Sequence, residues 1–177
     1  NRMNNNILTN NLASNISINN SIIQNTSDIS LTNTQRKFFQ TVGVEYFNKN
    51  IDYGFSAFGA AFTLAQMANE GGYGDSKELD IKIKKNNFWG LMKDGVVLSY
   101  KTLGGAYAEW LSMMEKKFPA AVKLLKSESF TAPEIQKALN PGKGQSNYDP
   151  GNANYAKYTM DMTKFVLRRM IKFLDEE

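Results

Sequence analysis

Cysteine and histidine are both absent from this chain of 177 residues, and proline occurs only 4 times. Their absence removes Cys-His and Ser-His-Asp nucleophiles and the usual zinc sites, so no metal or cofactor is expected. Any acid–base chemistry falls to carboxylates, lysine or tyrosine. Without cysteine the redox compartment cannot be read, since such a domain folds equally well in cytosol or periplasm. No apolar run approaches the roughly 20 residues needed to span a bilayer. Nor does a basic start followed by an apolar stretch mark a signal peptide. The first residue is Asn1 rather than Met, which suits a processed product or an excised domain and leaves export open.

What is present has an ordinary globular balance, 42% hydrophobic and 21% charged. The length fits one domain plus a tail. A formal charge of +4 and a pI near 9.1 suit an anionic polymer such as cell wall, although many proteins without such a partner are as basic. The basic residues do not cluster with aromatics in any familiar nucleic-acid module. Arg168, Arg169 and Lys172 read as a solvated helix face.

Residues 1–34 are rich in Asn, Ser, Thr and Ile, a composition that reads as a tail or linker. Scattered Ile7, Leu8, Leu12, Ile16, Ile18, Ile22 and Ile23 leave room for a short packed element. The folded domain is expected over residues 35–177, with its first helix beginning near Asn33. Phe38, Phe39, Val42 and Tyr46 recur at helical spacing, and Thr32 with Gln35 has the form of a capping box. A second helix runs through SAFGAAFTLAQMANE, with Phe55, Phe58, Ala61, Phe62, Ala65 and Met67–Ala68 along one apolar face. Gly71 and Gly72 end it, which puts Glu70 in the last turn. Residues 74–86 show no clear period. LMKDGVVLSY reads as a hairpin turning at Lys93-Asp94-Gly95. Tyr107, Trp110, Leu111, Met114 and Phe118 mark another helix, in which Trp110, Met113 and Met114 are core, and Pro119 interrupts it. One or two helical turns follow over Ala120–Leu125. Thr131-Ala-Pro-Glu134 is a helix start. A turn-rich loop spans Asn140–Asn152. The last helix is expected to carry Tyr155, Tyr158, Met162, Val166, Met170 and Phe173 on one face. The expected fold is mainly α, with one short β-hairpin.

Three blocks, in order, resemble glycoside hydrolase family 73, the bacterial glucosaminidases that include flagellar-rod-associated peptidoglycan hydrolases. Glu70-Gly71-Gly72-Tyr73-Gly74-Asp75-Ser76 resembles the family's E-S-G-W-G-x-S. Asn86-Asn87-Phe88-Trp89-Gly90-Leu91 resembles N-N-L-F-G-I. Tyr148-Asp149-Pro150 through Asn154-Tyr155-Ala156 resembles Y-A-T-D-P-N-Y-A, with one extra residue. The blocks cover most of residues 55–175. The resemblance implies a lysozyme-like helical fold, a groove for glycan strands of bacterial peptidoglycan, a catalytic glutamate at Glu70 and a functional tyrosine at Tyr155. It further implies a secreted, periplasmic or cell-envelope location; a larger parent protein or a secretion apparatus is a further expected partner.

Physical chemistry points to Glu70 independently. A carboxylate in the last turn of a helix faces the negative end of the macrodipole, and burial against Phe62 or Tyr73 would also hold its proton. A protonated glutamate near neutral pH is what protonating a glycosidic oxygen requires. Lys82, Lys84 and Lys85 would oppose this at close range. Glycosidases usually need a second carboxylate, at about 5–5.5 Å for retention and 6.5–9.5 Å for inversion. Between Trp89 and Tyr100 the one acidic residue is Asp94, and an Asp in a Lys-Asp-Gly turn is expected on backbone grounds alone. Glu78 and Asp80, read as part of a loop, are alternatives. Substrate assistance by the N-acetyl oxygen, or a lytic transglycosylase relying on one glutamate, would need no second acid. Tyr73, Trp89, Tyr148 and Tyr155 offer flat faces to sugars, and Asn86 and Asn154 offer amides to acetamido groups. For Phe88 and Trp89, packing beneath the hairpin is the stronger expectation.

Overall fold

The structure is a computed structural model that describes residues 26–70 and 73–176. The expected element within residues 1–25 and the glycine cap at Gly71–Gly72 lie outside the described residues. The fold is mainly α with a single two-stranded antiparallel hairpin, as the periodicities lead one to expect.

A continuous helical stretch opens the described chain. Thr32 and Gln35 close a reciprocal capping box around the start of α1 (Asn33–Phe38). The helix then widens into a π-helical segment over Phe39–Gly43 and resumes as α2 (Val44–Tyr53). The wider turn comes from i→i+5 bonding. Phe38, Phe39, Val42, Tyr46 and Phe47 are all buried across it. Packing reaches upstream of the helix, since Leu31 is buried and Ile29 lies against the core.

Helix α3 (Ala57–Glu70) is the axis of the domain. Almost every residue from Ala57 to Ala68 is buried, so the helix is enclosed on all sides rather than on one face. Its close neighbour is α6 (Pro119–Lys126). A Cβ built on Gly59 would lie 1.9 Å from the Leu125 carbonyl oxygen. Only glycine permits that approach.

Residues 74–86 fold more regularly than their sequence suggests. Asp75 accepts hydrogen bonds from the Lys77 and Glu78 amides and starts α4 (Ser76–Lys85). Leu79 is the one residue of α4 that is buried, so no apolar stripe announces the helix. Glu78 and Asp80 are therefore helical, not loop residues, and Asp80 pairs with Lys37 at 2.8 Å. The hairpin follows as β1 (Met92–Lys93) and β2 (Val96–Val97), with Met92 opposite Val97 and Lys93 opposite Val96.

Helix α5 (Leu103–Lys117) is capped by Thr102, and Pro119 opens α6 at the position where its missing N–H does no harm. Thr131 and Glu134 form the expected capping box of α7 (Ala132–Leu139). The long α8 (Tyr155–Glu176) packs chiefly on α3. Tyr155, Val166, Met170 and Phe173 are buried as expected, but Tyr158 faces outward, 57% exposed. The inward face runs through Thr159 and Thr163, whose hydroxyls donate back to the carbonyls four residues earlier. Among the described residues no helix is long and apolar enough to cross a membrane.

Candidate active site

Glu70 is the final residue of α3 and stands at a cleft of about 480 Å³. Four segments form its walls: the end of α3, the Trp89–Met92 stretch that enters the hairpin, the end of α5, and the Ser146–Tyr148 loop. The hairpin-side wall is fixed by Asn87, which is fully buried. Its amide donates to the Leu91 and Leu98 carbonyls, both at 2.9 Å, and accepts from the Leu91 N–H at 3.0 Å.

The carboxyl group of Glu70 is pushed up to about 7, mainly by burial and secondarily by the charge of Asp149. Lys82 acts in the opposite direction. Gly90 lies against both groups: a Cβ there would sit 3.8 Å from Lys82 Nζ and 3.9 Å from Glu70 Oε2. Its φ of +66° is also one that L residues rarely adopt. Lys82 forms no ion pair with Glu70, so the ammonium moderates the proton affinity without abolishing it.

Beneath Glu70 lies a polar cluster in an otherwise apolar core. Gln66, one helical turn earlier on α3, is fully buried and donates from Nε2 to the Tyr155 hydroxyl at 3.1 Å. Tyr155 opens α8, and its ring lies 5.5 Å from that of Tyr148. Burial first, then the charge of Glu70, pushes the pKa of both phenols up, so both remain neutral at any physiological pH. Glu70, Tyr148 and Tyr155 thus occupy one electrostatic environment, joining the first and third sequence blocks.

The other expected site residues are distributed differently. Trp89 borders the cleft, but its ring is committed to Trp110 at 4.2 Å and to Tyr46 at 6.3 Å, both nearly parallel. It offers an edge rather than a face, in keeping with packing beneath the hairpin. Tyr73 is turned into the core against Phe38 and Phe39, where burial raises its phenol to about 12. Asn86 is the left-handed C-cap of α4, and its amide donates to the Tyr100 carbonyl at 3.0 Å. Asn154 borders a separate groove beside Ala132, Pro133 and Gln136. Asp94 is exposed at the hairpin tip, and its φ of 53°, followed by 78° at Gly95, makes a type I′ turn. It is not among the residues that line the Glu70 cleft.

Several contributors escape sequence inspection. Gln66 lies four residues before Glu70 and so shares its helix face, a spacing that could have exposed it. Trp110, expected only as core, is fully buried yet also borders the cleft. Lys117, Asn147 and Asp149 reach the site from a helix end and an irregular loop, where no periodicity signals orientation. Among the described residues no group of three or more acidic side chains forms a metal-binding cluster. No family of known proteins, no curated protein and no solved structure matches the chain.

Proposed function

We propose that this protein is a peptidoglycan hydrolase that cleaves the β-1,4 glycosidic bond after N-acetylglucosamine, with Glu70 as the general acid. The observation that carries this reading is a half-buried carboxyl group, raised to about 7, at the mouth of a polar cleft. The resemblance of the three blocks to family 73 glucosaminidases, and a lysozyme-like arrangement of helices around the cleft, belong to the same proposal.

In this mechanism Glu70 delivers its proton to the glycosidic oxygen as the C1–O bond breaks, and the bonding pair leaves with that oxygen as an alcohol. Positive charge develops at C1 and the ring oxygen. The N-acetyl oxygen of the substrate attacks C1, and the ionised Glu70 then takes a proton from the water that opens the intermediate. Tyr148, which lines the cleft and is held neutral, orients the acetamido group, and the buried Tyr155 packs behind it and holds it in place. The setting is the bacterial cell envelope or the space outside it.

A second reading, a muramidase or lytic transglycosylase, draws on the fact that Glu70 is the one carboxylate among the described residues lining its cleft. There the 6-hydroxyl of the muramic acid displaces the leaving group and no second acid is needed. Mass spectrometry of digested sacculi separates the readings. Reducing N-acetylglucosamine ends support the first, and anhydro-muramoyl ends support the second. Sedimentation with sacculi but no muropeptide release would make the protein an inactive wall-binding module and end the proposal.

A further inference from the structure

A second groove, of about 670 Å³, adjoins the Glu70 cleft between the end of α5, α6 and α7. Lys117 and Phe118 border both. Its apolar floor includes Phe118 and Leu124, and Lys117, Lys123 and Lys137 stand around it. All three ammonium groups are on exposed side chains, and none forms an ion pair within the described chain. The single opposing charge in the groove is Glu134. One of its carboxylate oxygens already accepts from the Thr131 amide at 3.0 Å and from the Thr131 hydroxyl at 2.8 Å. The groove therefore keeps an excess of positive charge around an apolar floor.

We propose that this groove binds the acidic peptide branch carried by the glycan strand whose backbone occupies the Glu70 cleft. The inference rests on reading that cleft as a glycan site. A branch leaving a sugar beside Lys117 meets the groove at once, because the two spaces share a wall. Small apolar side chains of the branch would rest on Phe118 and Leu124, and its carboxylates would face the lysines. Exposed charge pairs of this kind contribute little singly, so the preference arises from several acting together. They also make binding weaken as salt rises.

The test uses a disaccharide-peptide with free carboxylates and the same disaccharide stripped of its peptide, titrated calorimetrically against the full chain at low salt. Wild type should bind the peptide-bearing form roughly fivefold more tightly, with the advantage lost in Lys123→Glu/Lys137→Glu and reduced in Lys123→Gln/Lys137→Gln. On sacculi the charge-reversed variant should show a raised KM, while on peptide-free glycan it matches wild type. Equal binding of both forms by wild type, or a preference that survives charge reversal, overturns the proposal while leaving cleavage at Glu70 intact. A protein that cleaves neither polymer but keeps the lysine-dependent preference would sink the hydrolase reading and retain the peptide groove.

Discussion

Glu70 ends a helix whose residues are buried almost without break from Ala57 to Ala68, whereas Asp94 sits on a turn between strands of two residues that are mostly exposed. Both are acidic residues at the end of a regular element. Only the first is enclosed by protein on most sides, and burial there raises the proton affinity into the neutral range. A carboxylate becomes an acid at pH 7 when its surroundings cannot relax to solvate its charge. The helical floor of the cleft supplies that rigidity and the hairpin rim does not.

The most severe way to break this contrast is Glu70→Gln. Loss of a general acid should lower kcat on sacculi by about 10²–10⁴-fold. The same change should stabilise the protein. With a native pKa near 7 against 4.5 unfolded, the native state binds more protons between those values, so wild-type stability falls as pH rises from about 4.5 to 7 and stays flat above. The full difference amounts to roughly 3 kcal/mol at most. Urea melts at pH 5 and pH 8 should show the slope in wild type and none in the variant. A slope that persists in the Gln variant would mean the raised group lies elsewhere.

Gly59→Ala attacks the floor itself. The added methyl falls 1.9 Å from the Leu125 carbonyl oxygen, so α3 and α6 must separate. A loss of about 2–3 kcal/mol is expected in chemical denaturation, and activity should fall with it because Glu70 shares the displaced helix. Unchanged stability would show that the two helices yield easily and that the floor is less rigid than its contrast with the rim requires.

Tyr155→Phe is a smaller test of the same floor. Removing the hydroxyl leaves the buried Gln66 Nε2 without its acceptor, at a cost of about 1–3 kcal/mol. The rate should fall roughly tenfold, the scale of one lost hydrogen bond. Adding Gln66→Leu should recover much of the stability and none of the rate. If the double variant recovers both, Tyr155 acts on packing alone.

The elements that carry the site are more legible in the sequence than the contacts between them. Helical periodicity around Phe62 and the glycines after Glu70 put that residue at a helix end, and the hairpin is readable from Asp94-Gly95 between β-prone arms. The agents that raise Glu70 are not. Phe62 and Tyr73 are the neighbours that spacing suggests, yet Tyr73 packs on Phe38 and Phe39. Asp149 supplies the reinforcing charge from a loop. Of the three lysines expected to oppose it, Lys82 does so. Helix α4 escapes detection because a helix that buries one leucine has no apolar stripe. Asn86 and Asn154 share the chemistry of sugar ligands, but backbone capping and chain course direct them elsewhere. Residue type and spacing convey a face of an element; which faces converge is decided by long-range packing.

The smallest expected effect is at Asp94→Gly. Glycine adopts a φ near +53° without strain, and a Gly-Gly pair also suits a type I′ turn, so hairpin stability should stay within about 0.5 kcal/mol of wild type. If Asp94 owes its identity to the turn, kcat and KM on sacculi should match wild type within a factor of two or so, and the pH–rate profile should keep its acidic limb. A rate loss beyond tenfold without a change in the melting curve would instead make Asp94 the second acid. The hairpin would then have to fold over the cleft during catalysis, and the rim would be as much a part of the chemistry as the floor. Sugar product stereochemistry, followed by proton NMR, would separate the two cases by another route, since a distant second carboxylate inverts the anomeric centre and assistance by the N-acetyl group retains it.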